Sequence, residues 1–208
     1  MKLHGTPLSH FTRKLRILAA ELDIPIELAW ERTVMATTPE AFANNPLLRV
    51  PTLVDGDITI IESDHIARYL VGRHDPVDRL GVRSERVEDM NRLAVINGVM
   101  ANEVTPILAK RGGLEVAGVV YFDKLLASID SGLAWLDRTI EPDAPGFDYR
   151  DLTLVCAWQH LVHYGLRPLD RYTRIAARVA RFAERPSVAS TTPEHSLADA
   201  KAAGWSPG

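Results

Sequence analysis

The period of the hydrophobic pattern changes once along the chain, near residue 75. That change limits the possible folds more than any composition figure does. Before it, short apolar runs alternate with helical stretches; after it, every periodic segment repeats at helical spacing. A 208-residue chain patterned this way holds a small α/β domain followed by an all-helical one.

Residues 1–75 read strand, helix, strand, helix, strand, strand, helix. Lys2–Gly5 is a strand candidate closed by Gly5, Thr6 and Pro7. Phe11, Leu15, Leu18, Ala19 and Leu22 mark one face of a helix. Residues 24–30 fit a second strand. Residues 39–45 hold a short helix with Thr38 as N-cap and Pro39 at the first helical position. Two apolar runs, 51–54 and 58–61, flank an Asp-Gly-Asp turn and form a hairpin. Ile66, Tyr69 and Leu70 continue as a helix. The sum is a mixed four-stranded sheet with helices, an α/β sandwich.

Residues 76–83 fall in a break that reads as a linker, and 84–208 read as one helical domain. Ser84 is placed to cap a long helix, with Glu85 and Glu88 in its first turn. Pro106 should kink that helix, and Gly112-Gly113 should end it. A second helix spans about 115–140. Asp148 and Asp151 then have the spacing of a capping box, with Phe147 and Leu152 as its hydrophobic staple. Leu154, Trp158 and Leu161 stripe that helix, and Ile175, Val179 and Phe182 stripe the next. The tail after Pro186 has room for one short helix.

Charge and cysteine content exclude several function classes. A net charge of −3 gives no basis for non-specific nucleic-acid or anionic-lipid binding. No apolar run is long enough to span a membrane. The first ten residues are too polar for a signal peptide. The single cysteine, Cys156, excludes an internal disulfide and a cysteine-based zinc site, and no metal site is expected. A reduced, cytoplasmic setting follows.

Pro51 heads an apolar run, where a proline that cannot donate to the ladder belongs. Glu62 and Ser63 open the helix that follows, and a helix N-terminus suits a carboxylate. With "SHFTRKLR", "NPLLRVPTL" and "ESDHIARYL" in this order, the chain resembles the cytosolic glutathione transferases. The likeness extends, more weakly, through "DLTLVCAW" and "RPSVASTTP".

The resemblance implies a thioredoxin-like N-terminal domain and a cis Val50–Pro51 bond. It implies that Val50 pairs through its backbone with the cysteinyl unit of glutathione, as in strand addition. Ser63 would hold the γ-glutamyl carboxylate and Glu62 the γ-glutamyl ammonium. The competing role for these two is plain helix capping. Arg49 stands where the family often has Gln or Lys and could meet a glutathione carboxylate. Between Thr33 and Pro39 the family often has His or Lys for the glycyl carboxylate; this chain offers only Thr37 or Thr38. His65 stands where Ala is common and reads as a tolerated change.

The thiolate-activating candidate is Ser9, seven residues before Arg16, as in the serine-type, bacterial-like classes. A free thiol titrates near pH 8.5, so a hydroxyl donor and a helix N-terminus must favour the anion. Ser9 could instead serve as N-cap, and His10, Thr6 and Thr12 are rivals. His4 reads as packed in its strand. With no cysteine near Ser9, reductase chemistry through a mixed disulfide is disfavoured. Cys156 reads as a buried structural thiol.

The reaction implied is glutathione attack on a hydrophobic electrophile, the chemistry of detoxification, by a homodimer. Asn97, Met100, Ala101, Val104 and Arg111 are candidates for the electrophile pocket by position alone, and Gly98 and Pro106 interrupt the same helix. A glutathione-dependent isomerase, dehalogenase or etherase fits the same fold. So does a non-catalytic, regulatory relative.

Overall fold

The computed structural model describes residues 1–206. In chain order the elements are β1 (Lys2–Gly5), α1 (His10–Glu21), β2 (Glu27–Trp30), β3 (Thr52–Asp55), β4 (Ile58–Ile61) and α2 (Ser63–His74). Then follow α3 (Val87–Arg111), α4 (Val120–Thr139), α5 (Tyr149–Tyr164), α6 (Thr173–Ala180), α7 (Pro186–Ala189) and α8 (Pro193–Ala202). A single 3-10 turn, Pro39–Phe42, lies between β2 and β3. The chain divides into two units, Met1–Arg83 with the segment from Arg185 onward, and Ser84–Glu184.

In the first unit the sheet order is β2-β1-β3-β4. β1 and β2 are parallel; β1–β3 and β3–β4 are antiparallel. Leu3, Leu15, Leu18, Phe42, Leu53, Ile66, Leu70 and Val71 are buried and form the core. α1 is buried well beyond its apolar stripe: Thr12, Arg13 and Lys14 are covered as well. The sheet and α2 cover one side, and α7 packs on another. Arg13 donates to Thr191 Oγ1 (3.3 Å) and to the Val188 carbonyl (3.2 Å). Arg16 donates to Ser196 Oγ (2.6 Å), and the Trp205 indole donates to the Glu31 carbonyl (2.7 Å).

The last residues are therefore part of the α/β unit, against the expectation that 84–208 form one helical domain. A local pattern that leaves room for a helix in the tail does not say which core that helix joins. The tail also holds two helices instead of one. Residues 76–83 are no free linker. Asp75 accepts from the Arg79 backbone and side chain (2.7 and 2.9 Å), and Asp78 accepts from Val82 N and Arg83 N (both 2.8 Å). These bonds fold the segment into the first unit.

The second unit holds α3–α6. α3 packs on α4 and α5, and α6 packs on both of those. The Asp148–Asp151 capping box forms as the spacing predicts. Phe147 meets the Phe182 ring, with centroids 4.7 Å apart. α3 begins at Val87, two residues later than its Ser84 cap predicts, because Ser84 Oγ donates to Asp89 Oδ2 instead (2.7 Å). α4 begins five residues late: the Glu115 carboxylate accepts from Val116 N and Ala117 N (3.0 and 3.2 Å), holding a turn there. Gly112 caps α3, and Pro106 lies inside it. Met100 and Cys156 are core residues.

Candidate functional site

Register decides which residues meet. β1 and β3 pair His4 with Thr52, and β3 and β4 pair Thr52 with Ile61. One residue further along each strand stand Gly5, Pro51 and Glu62. Adjacent strands are about 4.8 Å apart, so these three positions lie within roughly 10 Å at one end of the sheet. Gly5 leads to Ser9, Pro51 follows Arg49 and Val50, and Glu62 precedes Ser63. All six site candidates therefore converge on one sheet end.

Ser9 is the N-cap of α1, and its Oγ accepts from Thr12 N at 3.1 Å. A hydroxyl has one hydrogen to donate and two lone pairs. Capping uses a lone pair and leaves the hydrogen for a ligand, so the two roles do not compete. His10 is buried at the first helical position, its ring 4.6 Å from that of Phe11. His4 pairs with Glu31, Nδ1 to Oε1, at 2.7 Å. Thr6 accepts from Ser9 N through its carbonyl (3.1 Å).

The Val50–Pro51 peptide is cis. Ladder pairing begins at Thr52, and among the described residues Val50 has no main-chain hydrogen-bond partner. Its N–H and C=O are thus outside the sheet. The loop that carries it is held by Asn45, a residue the sequence reading missed. Buried Asn45 donates to the Arg49 carbonyl (2.8 Å) and to Thr52 Oγ1 (3.3 Å), and accepts from Leu47 N (2.9 Å). Thr52 Oγ1 in turn donates to the Phe42 carbonyl (3.1 Å). The Asn-Pro pair at 45–46 was a usable turn signal.

Glu62, not Ser63, occupies the N-cap position of α2; Ser63 is its first helical residue and is buried. The reason is conformational. Glu62 adopts φ 68° and ψ 124°, an uncommon geometry for a residue with a side chain. Such outliers cost on the order of 1–3 kcal/mol and cluster at functional sites. Glu62 makes no capping bond; its carboxylate lies 3.3 Å from Arg49. Ser63 keeps its backbone N–H at the positive end of α2. Asp64, the next residue, is neutralised by the fully buried Lys14 ammonium at 2.7 Å. Thr37 and Thr38 are exposed.

In the helical unit, Glu103 is fully buried in α3 and lies 3.1 Å from His160 Nδ1 of α5. Burial pushes its carboxyl above the ordinary range, against the pull of His160.

The comparisons with known proteins bear on the fold and on the N-terminal domain. A profile of the glutathione S-transferase N-terminal domain matches residues 3–78. Glutathione S-transferase 4 of Zea mays is 32% identical over 108 residues, 51% of this chain and 47% of that protein. The chain spans about half the length of the curated relatives it matches. A glutathione S-transferase structure from Methylobacillus flagellatus with GSH bound aligns at TM-score 0.79 and 25% identity, covering 92% of this chain and 98% of that one. A Methylobacterium radiotolerans glutathione S-transferase in complex with glutathione sulfonate shares the fold at TM-score 0.77 and 22% identity, covering 92% of this chain and 94% of that one. Over residues 3–78 the chain is similar to the glutathione S-transferase N-terminal domain family. Its sheet and helices are the thioredoxin-like N-terminal fold of that family, with a predominantly helical remainder.

Proposed function

We propose that the chain is a serine-type glutathione transferase that activates glutathione as its thiolate for attack on a hydrophobic electrophile. The observation that carries this reading is the convergence of Ser9, Arg49, Val50, Pro51, Glu62 and Ser63 on one sheet end. The unpaired Val50 backbone offers one acceptor and one donor to the cysteinyl unit, as an added strand would use. Ser63 and the α2 N-terminus take the γ-glutamyl carboxylate. Glu62 takes the γ-glutamyl ammonium, exchanging its Arg49 partner for the ligand, and Arg49 is then free to meet a carboxylate. The Ser9 hydrogen, left over from capping, donates to the sulfur at the positive end of α1. Catalysis is positioning plus electrostatic stabilisation, with no covalent enzyme intermediate. By resemblance the working form is a cytoplasmic homodimer. Among the described residues no helix is long and apolar enough to cross a membrane.

The test is retention on immobilised glutathione together with conjugation of a chloro-nitroaromatic. The wild-type chain should be retained and turn over. Ser9→Ala should still be retained but lose roughly 100-fold in rate, as removal of one oriented donor does elsewhere. No retention and no turnover by the wild type removes the transferase reading and leaves the non-catalytic one. Unchanged turnover by Ser9→Ala removes Ser9 from its role.

A further inference from the structure

β1 and β4 both run antiparallel to β3, so they end at the same end of the sheet. The helices that follow them, α1 and α2, therefore start at that end, and they pack on each other. Ser9 stands just before the first helical residue of α1, and Ser63 is the first of α2. In the reading proposed above, one glutathione molecule meets both, its sulfur at Ser9 and its γ-glutamyl carboxylate at Ser63. A single small ligand does so productively only if the two helix starts keep a fixed separation.

One contact is built to fix it. Lys14 of α1 is fully buried, as are its sequence neighbours Leu15, Ile17 and Leu18. Its ammonium lies 2.7 Å from Asp64 Oδ1 and 5.6 Å from the centroid of the Phe11 ring. Asp64 is the second residue of α2, next to Ser63. Five residues of helix, about 7.5 Å along the axis, separate Lys14 from Ser9. The ion pair thus ties the second turn of α1 to the first turn of α2, behind both serines.

Stability alone is a weak account of this pair. Burying a cation is costly, and a well-packed apolar side chain of similar volume commonly serves a core as well or better. What an ammonium supplies and a methionine does not is a directional bond to one carboxylate. The best-attested use of a buried ionic group is to fix the register of one element on another.

We propose that Lys14 is a positioning residue: through Asp64 it sets the separation of the α1 and α2 starts, so that one glutathione molecule reaches Ser9 and Ser63 together. The inference rests on the glutathione reading of that site and adds the strut behind it. Without the pair, the γ-glutamyl end still meets Ser63, but the sulfur no longer sits on the Ser9 hydrogen. The thiol then titrates nearer its free value of about 8.5.

The experiment compares Lys14→Met, which keeps the length and removes the charge, with the wild-type chain. Conjugation of a chloro-nitroaromatic is followed from about pH 6 to about pH 10, spanning the free-thiol value, with the uncatalysed rate subtracted. The urea midpoint reports on folding. At saturating glutathione, kcat should fall roughly 10- to 100-fold near neutral pH, the scale of an ångström-sized misplacement. The loss should shrink as pH rises past about 8.5, where the thiol ionises unaided. Partial unfolding lowers the rate by the same factor at every pH, so the profile separates positioning from mere support. Unchanged kcat overturns the proposal, and so does a loss that stays constant with pH. Should Lys14→Met fail to fold, Asp64→Asn, at a side chain 35% exposed, takes its place and the same two outcomes decide. A wild type that is neither retained on immobilised glutathione nor able to turn over removes the glutathione reading and this inference with it. A wild type that turns over beside an unaffected variant removes this inference alone.

Discussion

Gly5 has no room for a β-carbon. One built there would lie 2.2 Å from Thr12 Cγ2, 2.6 Å from its Oγ1 and 2.9 Å from its Cβ. The Thr12 side chain of α1 thus packs directly on the Gly5 backbone at the end of β1, and Ser9 sits on the connection between them. Gly5→Ala forces α1 away from the sheet. We expect it to lower stability by about 1–3 kcal/mol, the usual range for overpacking, read as a fall in the urea midpoint at unchanged slope. An unchanged midpoint would mean that α1 yields freely. The sequence marks Gly5 only as the close of a strand; the contact that requires it is tertiary. Glu62 is similar. Its acid-hydroxyl partner Ser63 was legible as a helix start, but the left-handed φ that makes Glu62 the cap position and leaves Ser63 helical was not.

Among the elements, the junction of α4 with the segment leading into α6 depends on one carboxylate. Asp130 of α4 accepts from Arg167 Nε (3.0 Å) and NH2, and lies 3.2 Å from Arg171. The Arg167 hydrogen bonds, followed by its charge and that of Arg171, hold the Asp130 carboxyl below the ordinary aspartate range despite partial burial. The sign of the pH effect follows from linkage. A carboxyl whose folded pKa is depressed adds stability that is complete above its unfolded pKa, and that is lost as pH falls through the folded value. Asp130→Asn should therefore be less stable than the wild type at neutral pH. The two thermal unfolding curves should draw together as pH drops below about 4, near the unfolded aspartate value. A gap that stays constant across that range would show that packing, not charge, makes the junction. Asp137 does a related task, accepting from Arg174 N and Ile175 N (2.9 and 3.0 Å) at the start of α6. No local signal in α6 announces that cap, because its side chain comes from another helix. The α5 cap, by contrast, lies within four consecutive residues and was read from spacing alone.

For the whole molecule, the C-terminal segment is the return that closes the α/β unit. Arg185 and Ser187 bind Glu21 at the end of α1, and Val188 and Ala200 are fully buried. A chain ended at Glu184 would lose the Arg13 bonds to Thr191 and Val188 and open to water the surface that α7 covers on α1. Each apolar side chain lost from the core, Val188 among them, removes about 1.5–3 kcal/mol, a large share of a domain's total stability. We expect fragment 1–184 to unfold well below the full chain in a denaturant titration and to lose retention on glutathione with it. Equal midpoints would separate the tail from the stability of the fold.

Local order was decided by the sequence itself. Strand and helix periods, the hairpin turn at 55–57 and the Asp148 box depend on neighbours a few residues away, so the mixed sheet and the helical remainder could be read directly. The motifs around Pro51 and Glu62 also carried the resemblance to glutathione transferases. Tertiary structure decided what distant residues do together. Ser9, Val50 and Glu62 come to one end of the sheet only because the register His4–Thr52–Ile61 aligns three strand ends. Asn45 became a brace and the tail joined the first core for the same physical reason. Burial and hydrogen-bond satisfaction are properties of the packed chain, and no window of sequence contains both partners of a contact 178 residues apart.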